Sequence, residues 1–249
     1  KDVCKIDPQE PLGRMVIETY KQLNEFIRPV KRAVIAGHIC LDVIPAIGHG
    51  FDLTPGRLFE VGAPAMATGG AVSNTGLAMH ILGQPVTLAG RVGDDDFGNA
   101  VEKLLAKHGA SVASGIEKAP GDVTSYSVVI NIPGRDRTFL HCPGANHNFR
   151  AADVKEESLA GASLFHFGYP PLMERMYSDG GIELERLLAK AKSAGLTTSM
   201  DMVMPDPDGP SGKADWQGSC RRALPQLDIF LPSADELLYV LDRKHFGEG

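Results

Sequence analysis

Asp42 is the first residue of this chain with an evident capacity for ligand chemistry. It ends the stretch GHICLD, directly after a short apolar run, and its carboxylate could accept hydrogen bonds from two neighbouring hydroxyl groups. The same side chain could instead bind its own backbone in a turn. Its position in the sequence leaves both roles open.

A glycine pair, Gly69 and Gly70, precedes a helix-like segment in the stretch GGAVSN. Glycine allows backbone angles and close approaches that other residues do not. Amides at a helix start favour an oxygen-rich ligand, and Asn74 offers both a donor and an acceptor. The alternative is a turn followed by a helix cap at Ser73 or Asn74. The spacing is not GxGxxG, which disfavours a dinucleotide site.

Two acidic stretches could hold a cation. The three adjacent aspartates of GRVGDDDFG suggest a metal, but neighbours on an extended chain point in different directions. We therefore predict that Asp96 caps the following helix. In SADELL, Glu236 falls in a first helical turn, where the helix dipole favours a carboxylate. It could also hold a water of a Mg²⁺–phosphate complex, because Mg²⁺ keeps several of its waters.

Several familiar motifs are excluded because required residues are missing. GPSGKA is not a P-loop, since Pro207 replaces its first glycine and Ala214 replaces the Ser or Thr. The sequence contains no HExxH, no GxSxG and no CxxC. These absences disfavour a zinc protease, an α/β-hydrolase and a thioredoxin-type site.

Length and charge restrict the class of protein further. A chain of 249 residues suits one large domain or two small ones. The net charge of −6 and the lack of a Lys/Arg run argue against nucleic-acid or anionic-membrane partners. No apolar run approaches the ~18 residues of a membrane span. Four widely separated cysteines favour a reduced, cytoplasmic location.

Strands and helices alternate along the chain, and these elements must position the polar residues. Helical periodicity between short apolar runs indicates right-handed crossovers and a parallel α/β sheet. The runs predicted to be buried strands lie at 32–37, 86–93, 163–168, 196–201 and 227–232.

Three segments depart from this alternation. Residues 9–28 have helical periodicity and predict a helix in an N-terminal extension over 1–31. Residues 43–64 hold several Gly and Pro, and residues 123–144 alternate around a PGRD turn like a β-hairpin. We expect both of these to be antiparallel strands inserted into the α/β body.

Taken together, these stretches resemble the PfkB family of carbohydrate kinases over residues 32–243. The motifs GHICLD, GGAVSN, GRVGDDDFG, PGAN, DMVMPDP and PSADE occur in the family's order. The combination of GG-x-x-x-N with G-x-V-G-D-D-x-F-G is specific, although no single piece is. The resemblance implies a ribokinase-like three-layer α/β/α fold with a mainly parallel sheet. It also implies a small β-sheet lid, with strands from about 43–66 and 123–142.

The resemblance implies an ATP- and Mg²⁺-dependent kinase that acts on a hydroxyl of a sugar or nucleoside. In such kinases Gly69, Gly70 and Asn74 would contact substrate hydroxyls, and Asp42 would bind a pair of them. The lid would close over the sugar and exclude water. Because lid strands of the family often pair between subunits, the resemblance also implies a homodimer.

The chain departs from the family pattern at several site positions. Cys40 stands where ribokinase-type members carry Asn, and these members often carry an acidic residue near Gly168. Both positions are implied to bind substrate, and the changes speak against ribose. The Mg²⁺-associated N-x-x-E motif occurs with Ser233 in place of Asn, while Glu236 matches. The implied role of Glu236 is to bind Mg²⁺ through water, with Ser233 beside it at the cofactor site.

The family's catalytic G-A-G-D segment, which supplies the base, does not occur in these 249 residues. We therefore expect no catalytic residue in this chain, a truncated kinase domain over 32–249, and no activity by the chain alone. The alternative is a non-catalytic sugar-binding or regulatory protein that retains only the substrate half. A Rossmann-type oxidoreductase is disfavoured because the glycine fingerprint is missing.

Overall fold

A computed structural model describes residues 10–26, 31–52, 54–243 and 246. The described chain forms two sheets with helices packed around them. The strands are β1 Ala33–Gly37, β2 Cys40–Ala46, β3 Gly62–Gly69, β4 Val86–Gly93, β5 Ile116–Ala119, β6 Tyr126–Ile130, β7 Thr138–Cys142, β8 Leu164–Gly168, β9 Thr197–Met200 and β10 Ile229–Phe230. The helices are α1 Pro11–Phe26, α2 Gly70–Ile81, α3 Asp96–Ala106, α4 Glu156–Leu159, α5 Ile182–Ser193, α6 Pro210–Lys213, α7 Trp216–Ala223 and α8 Ala234–Leu241. None of the described helices is long and apolar enough to cross a membrane.

The main sheet has six strands in the order β10-β9-β8-β1-β4-β5, and every neighbouring pair is parallel. Apolar side chains cover both of its faces. Residues such as Val34 and Phe165 pack with α5 and α7, whereas Ile35 and Leu88 pack with α2 and α3. All five residues of β1 are buried, as expected for a central strand covered on both sides. The alternating strands and helices thus form the α/β fold that the sequence predicts.

The small sheet has the order β3-β2-β6-β7 and grows directly out of the main sheet, because only two residues separate β1 from β2. β2 and β3 are antiparallel, as are β6 and β7, which confirms the two antiparallel insertions. The contact between the insertions is a parallel pairing of β2 with β6. The sheet is therefore mixed, a feature that joins strands more than 80 residues apart and that local patterns do not show.

Most predicted elements are present, and four of the observed strands and helices were missed. Each predicted main-sheet run contains an observed strand, and the hairpin turn lies around Gly134, whose φ is +80°. The sequence analysis did not identify β5, α4, α6 or α7. The predicted N-terminal helix is confirmed over Pro11–Phe26. Glu10 precedes it in a bend, and residues 9, 27 and 28 of the predicted range lie outside the described residues. The division into a 1–31 extension and a 32–249 domain stays a prediction.

Asp95, and not Asp96, caps α3. The Asp95 Oδ1 atom accepts hydrogen bonds from the Gly98 amide at 2.8 Å and the Thr124 hydroxyl at 2.6 Å, and Oδ2 accepts from the Thr124 amide at 2.8 Å. The prediction of Asp96 is wrong because the helix begins one residue earlier than expected, which places Asp96 in its first turn. Burial opposes ionisation of Asp95, but the bonds from Thr124 and Gly98 outweigh it and lower the pKa of Asp95.

We predict that Asp95→Asn lowers the free energy of unfolding by about 1–3 kcal/mol, because it weakens charge-assisted bonds to α3 and to the segment before β6. Asp96→Asn serves as a matched control and should change it by about 0.5 kcal/mol or less. Urea denaturation of the two variants measures both values. Equal losses in the two variants would contradict the assignment of Asp95 as the cap.

His166 should make stability depend on pH. It is buried in β8 with Nδ1 3.0 Å from the Ser199 hydroxyl, and burial lowers the pKa of His166 to about 4. In the unfolded chain a histidine has a pKa of about 6.5. Between about pH 4 and about pH 6.5 the unfolded chain therefore binds more protons at His166 than the folded protein does. The contribution of His166 to the free energy of unfolding is therefore complete above about pH 6.5, and it is lost as the pH falls towards about 4.

We expect this loss to amount to about 2–3 kcal/mol for His166 alone. Urea denaturation at about pH 7.5 and about pH 4.5 in wild type and His166→Gln measures it, and the variant should show the smaller difference between the two pH values. His108→Gln, at an exposed histidine, is the control and should behave as wild type. An unchanged pH dependence in His166→Gln would refute the prediction.

Candidate functional site

The candidate site lies where β1 and β8 end and the small sheet begins. The His38 amide donates a 2.7 Å hydrogen bond to the Gly168 carbonyl, which keeps the two strand ends together. A Cβ atom at Gly37 would lie 2.1 Å from that carbonyl oxygen, so only glycine fits there. Carboxyl ends of parallel strands are the usual place for ligands in open α/β sheets. The predicted site residues of β2, β3 and α2 gather at this edge.

The glycine pair lets α2 begin in contact with β2 and with the β1–β2 connection. A Cβ atom at Gly69 would lie 2.4 Å from Oδ2 of Asp42, and one at Gly70 would lie 2.3 Å from the His38 carbonyl oxygen. Gly70 has φ +86°, a left-handed conformation that side chains disfavour. The Val72 amide binds the same His38 carbonyl at 3.1 Å. Gly69 is the N-cap of α2 and supplies no side chain to bind the first amides of the helix.

Asp42 and Cys40 project from the same side of β2, and the thiol donates a 3.3 Å hydrogen bond to Oδ1 of Asp42. Burial and the neighbouring Asp42 charge raise the pKa of the Cys40 thiol well above its usual range. The thiol therefore stays protonated and acts as a donor. The carboxylate of Asp42 thus lies between this donor and Gly69, with its side chain only partly buried.

Two histidines meet beside these residues. Nε2 of His38 lies 3.3 Å from Nε2 of His141, and Nδ1 of His141 lies 2.9 Å from the Ser127 hydroxyl. Burial lowers the pKa of His38 well below its usual range and that of His141 to about 4. Both imidazoles are therefore neutral near pH 7, and each has one nitrogen that donates and one that accepts. The sequence analysis found no histidine pair, because 103 residues separate the two.

Asn146, from the PGAN motif, fastens the β1–β2 connection. Its side chain is fully buried, accepts a hydrogen bond from the Ile39 amide at 3.2 Å and donates to the Ile39 carbonyl at 2.9 Å. A second donor bond reaches the Pro143 carbonyl at 3.2 Å. An asparagine offers a donor and an acceptor in one plane, so it replaces the strand partner that Ile39 lacks. This motif therefore holds the strand end that carries His38.

Asn74 lies one turn into α2 and is exposed, and its side chain is hydrogen-bonded to the Tyr169 hydroxyl. Burial and the nearby Asp201 charge raise the pKa of Tyr169. Gly168 packs tightly, because a Cβ there would lie 2.9 Å from Ala71 and 3.5 Å from Asp201. Tyr169 and Asp201 were missed by the sequence analysis. The signal that could have found them is their position directly after β8 and β9.

Ser233 and Glu236 form a capping box at the start of α8. The Ser233 amide donates to Oε2 of Glu236 at 2.6 Å, and the Glu236 amide donates to the Ser233 hydroxyl at 3.2 Å. This is the structural role that the sequence analysis left open for Glu236. Helix α8 follows β10, which runs parallel to β9 and β8, so α8 begins at the same edge of the main sheet. No group of three or more His, Cys, Asp or Glu among the described residues could hold a metal by itself.

The structure thus brings Cys40, Asp42 and Gly69 into direct contact, and Gly70 packs beside them against His38. Asn74 lies further along α2 and contacts the side facing β8, together with Gly168, Tyr169 and Asp201. Ser233 and Glu236 cap α8 beyond β10. The arrangement offers one carboxylate, neutral imidazoles and a thiol next to a helix start, a set suited to binding hydroxyl groups.

Comparisons with known proteins identify the family of this chain. Residues 30–248 match the model of the pfkB family carbohydrate kinases. The chain is 28% identical over 178 residues to the probable fructokinase-3 of Arabidopsis thaliana, and 26% identical over 207 residues to the probable fructokinase-4. These alignments cover 70% and 82% of the chain, but 48% and 60% of the relatives. The chain therefore spans about half to three-fifths of their length.

Solved structures show the same fold. A fructokinase from Xylella fastidiosa superposes with a TM-score of 0.66 at 21% identity, covering 85% of this chain and 62% of that one. A ribokinase from Giardia lamblia gives 0.66 at 20% identity, covering 86% and 60%. At these identities the structures establish the ribokinase-like fold, while the family model covers nearly the whole sequence. The chain belongs to the pfkB family of carbohydrate kinases.

Proposed function

We propose that this chain carries the sugar-binding part of a kinase that transfers the γ-phosphoryl group of ATP to a sugar or nucleoside hydroxyl. The observation that supports this most directly is the Asp42 carboxylate held against Gly69 at the start of α2. A sugar presents neighbouring hydroxyl groups, and a carboxylate accepts two hydrogen bonds with little rearrangement. Because the matched relatives are named fructokinases, D-fructose is the first sugar to test.

Gly69 and Gly70 would contribute bare backbone to the same ligand. Without side chains, both residues allow an oxygen-rich molecule to approach the first amides of α2, where the partial positive charge of the helix favours it. Asn74 would bind a further hydroxyl, with Tyr169 orienting its amide. Cys40 and Gly168 would border the sugar, and both are smaller than the residues that ribokinase-type members carry near these positions.

ATP and Mg²⁺ would bind at the α8 side of the site. The Glu236 carboxylate is anchored through Oε2 to the Ser233 amide, which fixes its direction at the helix start. A single oriented carboxylate fits a Mg²⁺ ion that keeps its waters and is held mainly by nucleotide phosphates. When bound, Mg²⁺ would neutralise phosphate charge, and a Xylella fastidiosa fructokinase of this fold has been solved with bound ATP. Glu236 and Ser233 are thus the proposed cofactor residues.

The small sheet would act as a lid over the sugar. Its strands carry exposed apolar side chains, among them Met66, Phe139 and Leu140, which are about half exposed in the single chain. Contact between two such sheets would bury these side chains, so we include a homodimer in the proposal. The four widely separated cysteines support a reduced, cytoplasmic location, which is also proposed. Closure of the lid would exclude water from the reacting hydroxyl.

Residues 1–249 contain no G-A-G-D segment, so this proposal assigns no catalytic base within them. Phosphoryl transfer needs a base near the attacking hydroxyl and donors near the transferred group. We therefore propose that these 249 residues bind sugar without transferring phosphate alone. A non-catalytic sugar-binding or regulatory role is the second candidate, and a reading frame that continues into a G-A-G-D segment would exclude it.

The proposal predicts that Asp42→Asn weakens D-fructose binding by about ten- to a hundredfold, because hydrogen bonds to a charged group are lost or weakened. Titration calorimetry on wild type and variant measures the affinity. Asp52→Asn is the matched control, since Asp52 is an exposed acid that pairs with Arg57 in the β2–β3 loop. It should bind as wild type.

The same samples with Mg²⁺ and ATP separate binding from transfer. Fructose binding without ADP release supports the sugar-binding proposal and the expected inactivity of these residues. Fructose-dependent ADP release would contradict the inactivity. Binding of neither fructose, ribose nor a nucleoside by wild type would contradict the proposed function as a whole.

Gly69→Ala should also weaken fructose binding by about tenfold or more, because its methyl group would displace the Asp42 carboxylate. The added Cβ atom would lie 2.4 Å from Oδ2 of Asp42. The φ of Gly69 is −118°, so alanine is not strained there and the effect reports the displaced carboxylate. Gly48→Ala is the control, because no atom lies within 4 Å of its added Cβ. Equal affinities for the two variants would remove Gly69 from the site.

A further inference from the structure

A line of polar side chains runs from the β1–β2 connection across the small sheet to Asp42. His38 contacts His141 at 3.3 Å, His141 contacts Ser127 at 2.9 Å, Ser127 lies 3.9 Å from the Cys40 sulfur, and Cys40 contacts Asp42 at 3.3 Å. Asp42, Ser127 and His141 are cross-strand partners in β2, β6 and β7. Their side chains therefore share one face of the small sheet.

The last contact determines how the protons in this line are arranged. The Cys40 thiol donates to Oδ1 of Asp42, so its sulfur can accept from the Ser127 hydroxyl. A hydroxyl that donates to sulfur accepts from Nδ1–H of His141. Nε2 of His141 then bears a lone pair and accepts from Nε2–H of His38. In this arrangement each of the four contacts has one donor and one acceptor, and all the donors point towards the carboxylate.

The opposite order satisfies fewer groups. It would place the His38 proton on Nδ1, which is buried and has no hydrogen-bond partner among the described residues. That nitrogen faces Gly70, where a Cβ atom would lie 2.5 Å from it. A buried N–H without an acceptor is costly, and Nδ1 is better placed there as an unprotonated nitrogen.

We infer that His38, His141, Ser127 and Cys40 form a proton-ordered hydrogen-bond chain that positions the Asp42 carboxylate for hydroxyl binding. Ser127 and His141 are thus positioning residues that act through Cys40 and do not touch the ligand. Because this hydrogen-bond chain links side chains of β2, β6 and β7, the relative placement of these three strands sets the direction of the Asp42 carboxylate. This inference rests on the proposed function of Asp42 in binding a sugar.

The proton order can be read without a ligand. Long-range ¹H–¹⁵N spectra of the ¹⁵N-labelled protein near pH 7 distinguish the two neutral imidazole tautomers. The inference requires the Nδ1–H form for His141 and the Nε2–H form for His38, with assignments from His141→Gln and His38→Gln. The reversed pair of tautomers would overturn it.

The positioning role is tested with D-fructose by titration calorimetry. Ser127→Ala should weaken binding by about three- to tenfold, the size expected when one buried hydrogen bond is lost. Ser127→Thr keeps the hydroxyl and should recover most of the affinity. Ser125→Ala is the control, because it removes a buried hydroxyl two residues away that binds the Cys142 carbonyl instead.

Each outcome decides the inference. Weaker D-fructose binding by Ser127→Ala, recovered binding by Ser127→Thr and unchanged binding by Ser125→Ala support the inference. Equal D-fructose affinities for the two alanine variants would overturn it. If wild type binds neither D-fructose, D-ribose nor a nucleoside, the proposed function and the positioning role both fail. The tautomer spectra then decide separately whether the ordered chain itself exists.

Discussion

The close approach of β2 to the first turn of α2 is the contact on which the candidate site depends. Two glycines allow it, because any side chain at Gly69 or Gly70 would occupy the space of Asp42 or of the His38 carbonyl. The same approach lets the Val72 amide bind His38, so the helix start is tied to the end of β1. A carboxylate and a helix start are thereby held at one edge of a rigid parallel sheet.

Burial gives this edge its chemistry. Water is excluded from Cys40, His38 and most of His141, so the thiol stays protonated and the imidazoles stay neutral. The groups around Asp42 therefore act as hydrogen-bond donors and acceptors and do not compete with it as charges. A site of this kind suits a neutral polyhydroxylated ligand better than a strongly charged one.

The two sheets have different parts in this arrangement. The main sheet is buried on both faces and supplies fixed strand ends, with Asn146 bracing the connection to β2 through both polar groups of Ile39. The small sheet has four strands, carries exposed apolar side chains and is joined to the main sheet by the short β1–β2 connection. Its Ser127 side chain contacts Cys40, which in turn donates a hydrogen bond to the Asp42 carboxylate. Movement of the small sheet and orientation of Asp42 are thus physically connected.

The sequence by itself determined the α/β class, the predicted main-sheet strands, and the glycine pair and Asp42 as candidate site residues. Apolar periodicity and glycine placement are local properties, so they survive in a single sequence. It did not determine the α3 cap, because Asp95 and Asp96 differ only in which carboxylate reaches Thr124.

Only the tertiary structure decided which distant side chains meet. The parallel pairing of β2 with β6 brings Asp42 beside Ser127, and the antiparallel pairing of β6 with β7 adds His141. Tyr169 and Asp201 reach the site because β8 and β9 end at the same edge as β1. Such contacts depend on strand order and register, which arise from packing of the whole chain and leave no local pattern in the sequence.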